Sequence, residues 1–237
     1  MNLSDYKYKT ELHAHSNPAS ACGDLPPESV VRIYSEIGYT SLVLSNHFLT
    51  QMRFYGDKEK ALKAYLRDYH IAQEYGEKYG INVILGCEIR FPENTNDYLL
   101  FGIDEDFLYE AYNMLNSNIS EFSKWFRKDS RLIIQAHPLR NGSTPAPIEL
   151  LDGIESFNMH PNHNSRVGQS AKLAREHNLI ITCGTDCHHN HHEGMIAMLT
   201  KKPMTSSFEL AETLKSRDYL FEMSGNIIVP YGYSESV

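Results

Sequence analysis

The stretch Thr10-Glu11-Leu12-His13-Ala14-His15-Ser16 closes an apolar run that opens at Tyr6. Side chains two apart on a strand share a face, so His13 and His15 point together while Leu12 and Ala14 face the other way. The same pattern recurs further along the chain. Leu42-Val43-Leu44-Ser45-Asn46-His47, Ile84-Leu85-Gly86-Cys87-Glu88, Leu132-Ile133-Ile134-Gln135-Ala136-His137-Pro138 and Ile180-Ile181-Thr182-Cys183-Gly184-Thr185-Asp186-Cys187-His188 each pass from apolar residues into a His, Glu or Asp. One such residue is usually a solvated strand end or a capping partner. Five runs delivering His13, His15, His47, Glu88, His137, Asp186 and His188 call for a common cause, and metal binding supplies one.

Apolar runs occupy 6–13, 40–47, 82–89, 98–103, 131–137, 153–157, 179–183 and 219–223. Helical patterns lie between them at 27–37, 58–79, 120–128, 165–177 and 207–216. Proline opens the first helix with Gly38 just past its end, and Gly80 stops the second. Strand–helix alternation predicts an α/β fold with parallel strands and helical crossovers. Seven or eight units favour a closed barrel whose strand ends open on one rim. With no linker, repeat or composition shift, residues 1–237 are expected to form a single domain.

Composition sets limits on function. A hydrophobic fraction of 41% and a charged fraction of 22% are those of an ordinary globular protein. A net charge of −8 speaks against extended nucleic acid as a partner, because phosphate backbones need clustered Lys and Arg. It does not speak against a small anionic substrate, since bound divalent ions reverse the local sign. No stretch is apolar enough for a membrane span, the first residues lack a signal-peptide core, and the four cysteines form no CxxC pair. A cytoplasmic location is expected, with no membrane partner; oligomeric state is not readable.

Taken together, ELHAHS (11–16), LVLSNH (42–47), LGCEI (85–89), QAHPLRNG (135–142) and CGTDCHH (183–189) resemble the PHP family, named for polymerase and histidinol phosphatase. The resemblance spans nearly the whole chain. It implies a distorted (β/α)7 TIM-like barrel carrying two to three divalent ions (Zn, Mn or Fe). It implies a first ion on His13, His15, Glu88 and Asp186, and a second on Glu88 and His137. A third ion, where present, takes His47 and His188. Three departures stand out. Ser45-Asn46 replaces the usual Thr-Asp before His47. Asp97 lies where the family often has a histidine for the second ion. The loop 17–24 offers Cys22 or Asp24 to the third ion, and those two readings stand side by side.

Carboxylate and imidazole ligands without a nucleophilic Ser or Cys motif point to attack by metal-activated water. The expected reaction is hydrolysis of a small phosphorylated compound, a phosphate monoester or nucleotide, with catalytic roles for Glu88 and Asp186. His160 and His163 are candidates for proton donation or substrate contact, and Arg140 and Arg90 for phosphate binding. Histidinol phosphate is one family substrate, though no residue singles it out. The alternatives are an amidohydrolase-like C–N hydrolase, which normally bridges its metals with a lysine that no strand end here supplies, and a non-catalytic metal-binding domain.

Overall fold

The structure is a computed structural model and describes residues 2–231. It is a mixed α/β arrangement of six α-helices and two six-stranded sheets. The first sheet holds β1 (Tyr8–Ala14), β2 (Ser41–Leu44), β4 (Asn82–Leu85), β10 (Ile196–Thr200), β11 (Leu220–Met223) and β12 (Asn226–Ile228), in the order β12-β11-β10-β1-β2-β4. The second holds β3 (His47–Phe48), β5 (Cys87–Arg90), β6 (Asp97–Phe101), β7 (Leu132–Gln135), β8 (Gly153–Asn158) and β9 (Ile180–Gly184), in the order β3-β5-β6-β7-β8-β9.

The helices are α1 (Pro27–Glu36), α2 (Lys58–Tyr79), α3 (Glu105–Ala111), α4 (Ile119–Phe126), α5 (Val167–Glu176) and α6 (Ser207–Ser216). Local chemistry fixes their ends. Asp57 caps α2 by accepting from the Lys60 amide, and Gly80 closes it at φ 72°, a left-handed conformation that glycine adopts without penalty. The largest core cluster runs from Leu12 to Phe221 and includes the aromatic group Phe91, Phe107, Phe122 and Phe126 on and around α3 and α4.

The expected all-parallel arrangement needs correcting. β1, β2 and β4 are parallel, as are β7, β8 and β9, but β6 runs antiparallel to both β5 and β7, and β10 runs antiparallel to β1. A parallel return needs a crossover of about a dozen residues or more, and the link 91–96 is too short to supply one. β10, β12 and α3 have no counterpart among the expected elements.

The two sheets are joined in several places. β2 and β3 lie on one chain run interrupted at Ser45-Asn46, and β4 and β5 on another interrupted at Gly86. On the far side, Ala14 forms a parallel bridge with Cys187. There the His15 amide donates to the Cys187 carbonyl at 3.0 Å, and the Cys187 amide donates to the His13 carbonyl at 3.3 Å. Among the described residues, no helix is long and apolar enough to cross a membrane.

Candidate metal centre

Both sheets deliver their strand ends to one place. His13 lies in β1 and His15 just beyond it; His47 opens β3; Glu88 lies in β5; His137 follows β7; Asp186 and His188 follow β9. Glu88 is central and fully buried. Its Oε1 lies 3.4 Å from His13 Nε2 and 3.1 Å from His137 Nε2, while its Oε2 lies 3.6 Å from His15 Nε2 and 2.8 Å from His47 Nδ1. Asp186 Oδ1 lies 3.5 Å from His13 Nε2 and 3.3 Å from His15 Nε2. The ligand atoms of His13, His15 and Glu88 all lie within 4.8 Å of one another, as do those of His13, His137 and Asp186, and of His15, His47 and His188.

The hydrogen-bond network settles which imidazole nitrogens face inward. Asn46 Oδ1 must accept from the Ser16 amide at 2.7 Å, which fixes the orientation of that side-chain amide. Ser20 Oγ therefore donates to Asn46 Oδ1 at 2.9 Å and accepts at 3.1 Å from His15 Nδ1–H. The Nε2 of His15 is thus left with its lone pair. His13 Nδ1 donates to Glu155 Oε1 at 2.9 Å, and His188 Nδ1 donates to the Asp186 carbonyl at 2.9 Å, so each ring turns its Nε2 inward. His13 Nε2, His15 Nε2 and His47 Nδ1 are buried without a hydrogen-bond partner, though carboxylate oxygens stand close by. Ring nitrogens aimed at a common point rather than at one another fit a divalent ion, and anchored far-side nitrogens are the usual support of metal-bound histidines.

The backbone and the charges agree with this. His137 has φ 29° and Asp186 φ 53°, a region that non-glycine residues rarely enter and that clusters at functional sites. Gly184 permits the close approach of β9 to β1, since a Cβ there would stand 2.4 Å from the His13 Cβ. Burial disfavours charge on His13, but Glu155, Asp186 and Glu88 outweigh it and hold the imidazole well above its ordinary pKa. Burial acts oppositely on Glu88 and Asp186, yet the histidines hold both carboxyls well below the usual range. His15 is pulled well below its ordinary value by burial and by His188 and His47.

The remaining expected residues separate. Cys22 is exposed at the mouth of the site, where burial would raise its thiol pKa but hydrogen bonds to His188 and His47 bring it down to about 6. Asp24 points away and pairs with His189 at 3.1 Å, both side chains largely exposed. Asp97 is fully buried. It lies 3.8 Å from His137 Nε2, but Arg90 engages both its oxygens at 2.6 and 2.7 Å, and Arg140 adds a contact of 3.1 Å. It holds two guanidiniums at the cavity wall, and its ligand atom also lies within 4.8 Å of those of His47 and Glu88. His160 and His163 stack with ring centroids 3.8 Å apart, and His163 Nδ1 lies 3.9 Å from Asp186 Oδ2. Burial lowers His160 to about 4, and burial also lowers His163, so both rings are neutral near pH 7 and suit hydrogen bonding better than proton donation.

Three supporting residues escape the sequence reading: Glu155, which also accepts from the His137 amide at 3.0 Å; Ser20; and Asn46. For Glu155 the readable signal is a carboxylate in the middle of a short strand, Gly153–Asn158, between the apolar Ile154 and Phe157.

No protein-family model and no curated protein matches the sequence. Solved structures do match. A two-domain protein from Bacteroides vulgatus containing a predicted PHP-like metal-dependent phosphoesterase aligns over 92% of this chain at 17% identity and TM-score 0.61, and the chain spans 66% of that protein's length. PsfC from Pseudomonas syringae aligns over 92% of this chain and 91% of its own at 13% identity and TM-score 0.63. An amidohydrolase from Chromobacterium violaceum, with bound sulfate and no metal, aligns over 94% of this chain and 98% of its own at 15% identity and TM-score 0.53. The chain therefore shares its fold with structures that include predicted PHP-like metal-dependent phosphoesterases.

Proposed function

We propose that this chain is a metal-dependent phosphoesterase that hydrolyses a small phosphorylated compound, a phosphate monoester or nucleotide. The observation that carries the reading is the set of buried, inward-facing nitrogens on His13, His15 and His47, held around Glu88 and Asp186 with no hydrogen-bond partner. His13, His15, Glu88 and Asp186 would hold the first ion; Glu88 and His137 the second; His47 and His188 a third, with Cys22 the better placed of the two loop candidates. Bound divalent ions would supply a nucleophile at neutral pH and positive charge for the phosphoryl oxygens. Imidazole with carboxylate suits Zn, Mn or Fe.

The chain's own groups supply the rest. Asp97 neutralises part of the Arg90–Arg140 pair, leaving one net positive charge to receive a phosphate. His160 and His163, neutral and stacked, are placed to hydrogen-bond the substrate. No lysine is among the described residues lining the cavity, which favours this reading over a lysine-bridged C–N hydrolase. We read residues 1–237 as one domain and its two sheets as one distorted seven-stranded barrel. The interrupted runs β2/β3 and β4/β5 and the Ala14–Cys187 bridge support that closure.

The test is metal analysis of untagged protein, then a screen of phosphate monoesters and nucleotides with Mn, Zn and Fe. Two or more bound ions with metal-dependent phosphate release are expected. Protein that binds no metal on titration sinks the reading.

A further inference from the structure

Building on the phosphoesterase reading, we propose that the substrate is a phosphate monoester whose leaving group carries an aromatic ring, and that Phe54 is the surface against which that ring sits. The cavity over the metal centre has a volume of about 670 Å³. Its floor is His47, Glu88, His137, Asp186 and His188, and its walls differ in chemistry. On one flank it continues, through Arg90, Arg140 and His163, into a polar hollow lined by Asn141, Ser143 and Asn162. On the other it continues, through the apolar passage of Pro18, Ala19 and Met52, into a hollow along α2 where Ala61, Ala64, Tyr65 and Ile71 stand among charged side chains, Lys60, Lys63, Arg67 and Glu74. The two hollows share no residue. An anion held by Arg90 and Arg140 leaves the organic part of an ester facing the apolar passage of Pro18, Ala19 and Met52.

Phe54 lines the cavity itself, two residues after Met52 of that passage. It is 90% exposed, whereas the other large apolar side chains exposed among the described residues reach 47% at most. A flexible tail would make such exposure unremarkable, but Phe54 belongs to a 3-10 turn, Thr50–Tyr55, fixed at both ends. Phe48 and Met52 anchor it in the core, and the Arg53 guanidinium lies over the Tyr112 ring at 5.8 Å. The turn starts just after His47, so the position of Phe54 is set by the same strand that brings a metal-type ligand. A solvent-facing aromatic at the mouth of a charged cavity contributes binding only when a second apolar surface covers it, and another ring covers it best.

The test is steady-state kinetics of the Mn-loaded full chain and its Phe54→Ala and Phe54→Tyr variants on 1-naphthyl phosphate, phenyl phosphate and glycerol 2-phosphate. Comparing variant with wild type on the same ester cancels differences in leaving-group reactivity. Phe54 is so exposed that its truncation leaves the fold intact. For Phe54→Ala, KM should rise about tenfold on the naphthyl ester, about threefold on the phenyl ester and least on the glycerol ester, with kcat moving little. Phe54→Tyr should restore the naphthyl KM. Turnover of all three esters with an equal effect, or none, overturns the aromatic assignment and leaves the phosphoesterase reading standing. If no ester is turned over, that reading fails, and calorimetry with phenylphosphonate and methylphosphonate decides Phe54 on its own. Selective loss of phenylphosphonate binding in Phe54→Ala upholds the ring surface; equal binding overturns it.

Discussion

Replacing Glu155 by Gln should weaken metal binding although Glu155 is no ligand in the proposed site. Its Oε1 holds His13 Nδ1 at 2.9 Å, and its Oε2 accepts from the His137 amide and Asn158 Nδ2, each at 3.0 Å. A hydrogen bond to a charged group contributes about 1.5–3 kcal/mol, and a neutral one about 0.5–1.5 kcal/mol. Losing the carboxylate charge thus removes about 1.4 kcal/mol from the His13 contact alone, or about tenfold in affinity. The amide also turns an NH₂ toward donors it cannot pair with, which brings the loss into the range of about 10–100-fold seen for such supporting groups. The assay is competition for Zn or Mn against a chromophoric chelator, with circular dichroism to verify the fold. Nitrogen-15 shifts of the His13 ring should also show a weakened Nδ1–H. Affinity within about twofold of wild type, in a folded variant, would refute the reasoning.

Asp186→Asn should keep the fold, because Asn tolerates the left-handed backbone at φ 53°, while abolishing phosphate release; wild-type turnover under matched metal would rule the site out. Asp97→Asn should loosen Arg90 and Arg140 and raise KM for phosphate esters about tenfold at full metal content, whereas loss of an ion would assign Asp97 to the metal instead. Metal-free protein should lose stability as pH rises above neutrality. Burial opposes charge on His47, but Glu88 prevails and raises it to about 10, so its contribution is complete below the unfolded value of 6.5 and lost as pH rises through 10. Thermal melts from pH 6 to 10 check this: a flat apo profile contradicts it, and the metal-loaded protein, with neutral histidines, should vary less.

What was legible follows from what spacing encodes. The residues closing the strands could be read because an apolar run that stops at a His, Glu or Asp announces both the strand and the polar end. The span of α2 could be read from its capping Asp57 and terminal Gly80. The direction of β6 was legible in principle from the short link before it, but barrel-like alternation suggested otherwise. β10 was not, because Ile196–Thr200 is buried on both faces and shows no alternation, and it follows a histidine-rich loop that reads as irregular. Ser20, Asn46 and Glu155 act through contacts between distant segments, and one-dimensional spacing carries no record of those. Asp97 could be singled out from its position before an apolar run, but its pairing with Arg90 and Arg140 depends on how β5 and β6 align, Arg90 opposite Asp97.

The inward-facing groups are divided between the two sheets: His13 on β1 of one, Glu88 on β5 of the other, with His137 and Asp186 beyond β7 and β9. The second sheet also carries His47 and His188, but the first ion's set is completed only by His13 and His15 from the first sheet. Affinity for the first ion must therefore emerge late in folding, once the halves have docked, and that ion then acts as a cross-link whose release marks their separation. In such a protein, metal retention under mild denaturant reports the integrity of the entire tertiary structure, not of a local pocket, and protein refolded without metal should be the more open to proteolysis along the seam.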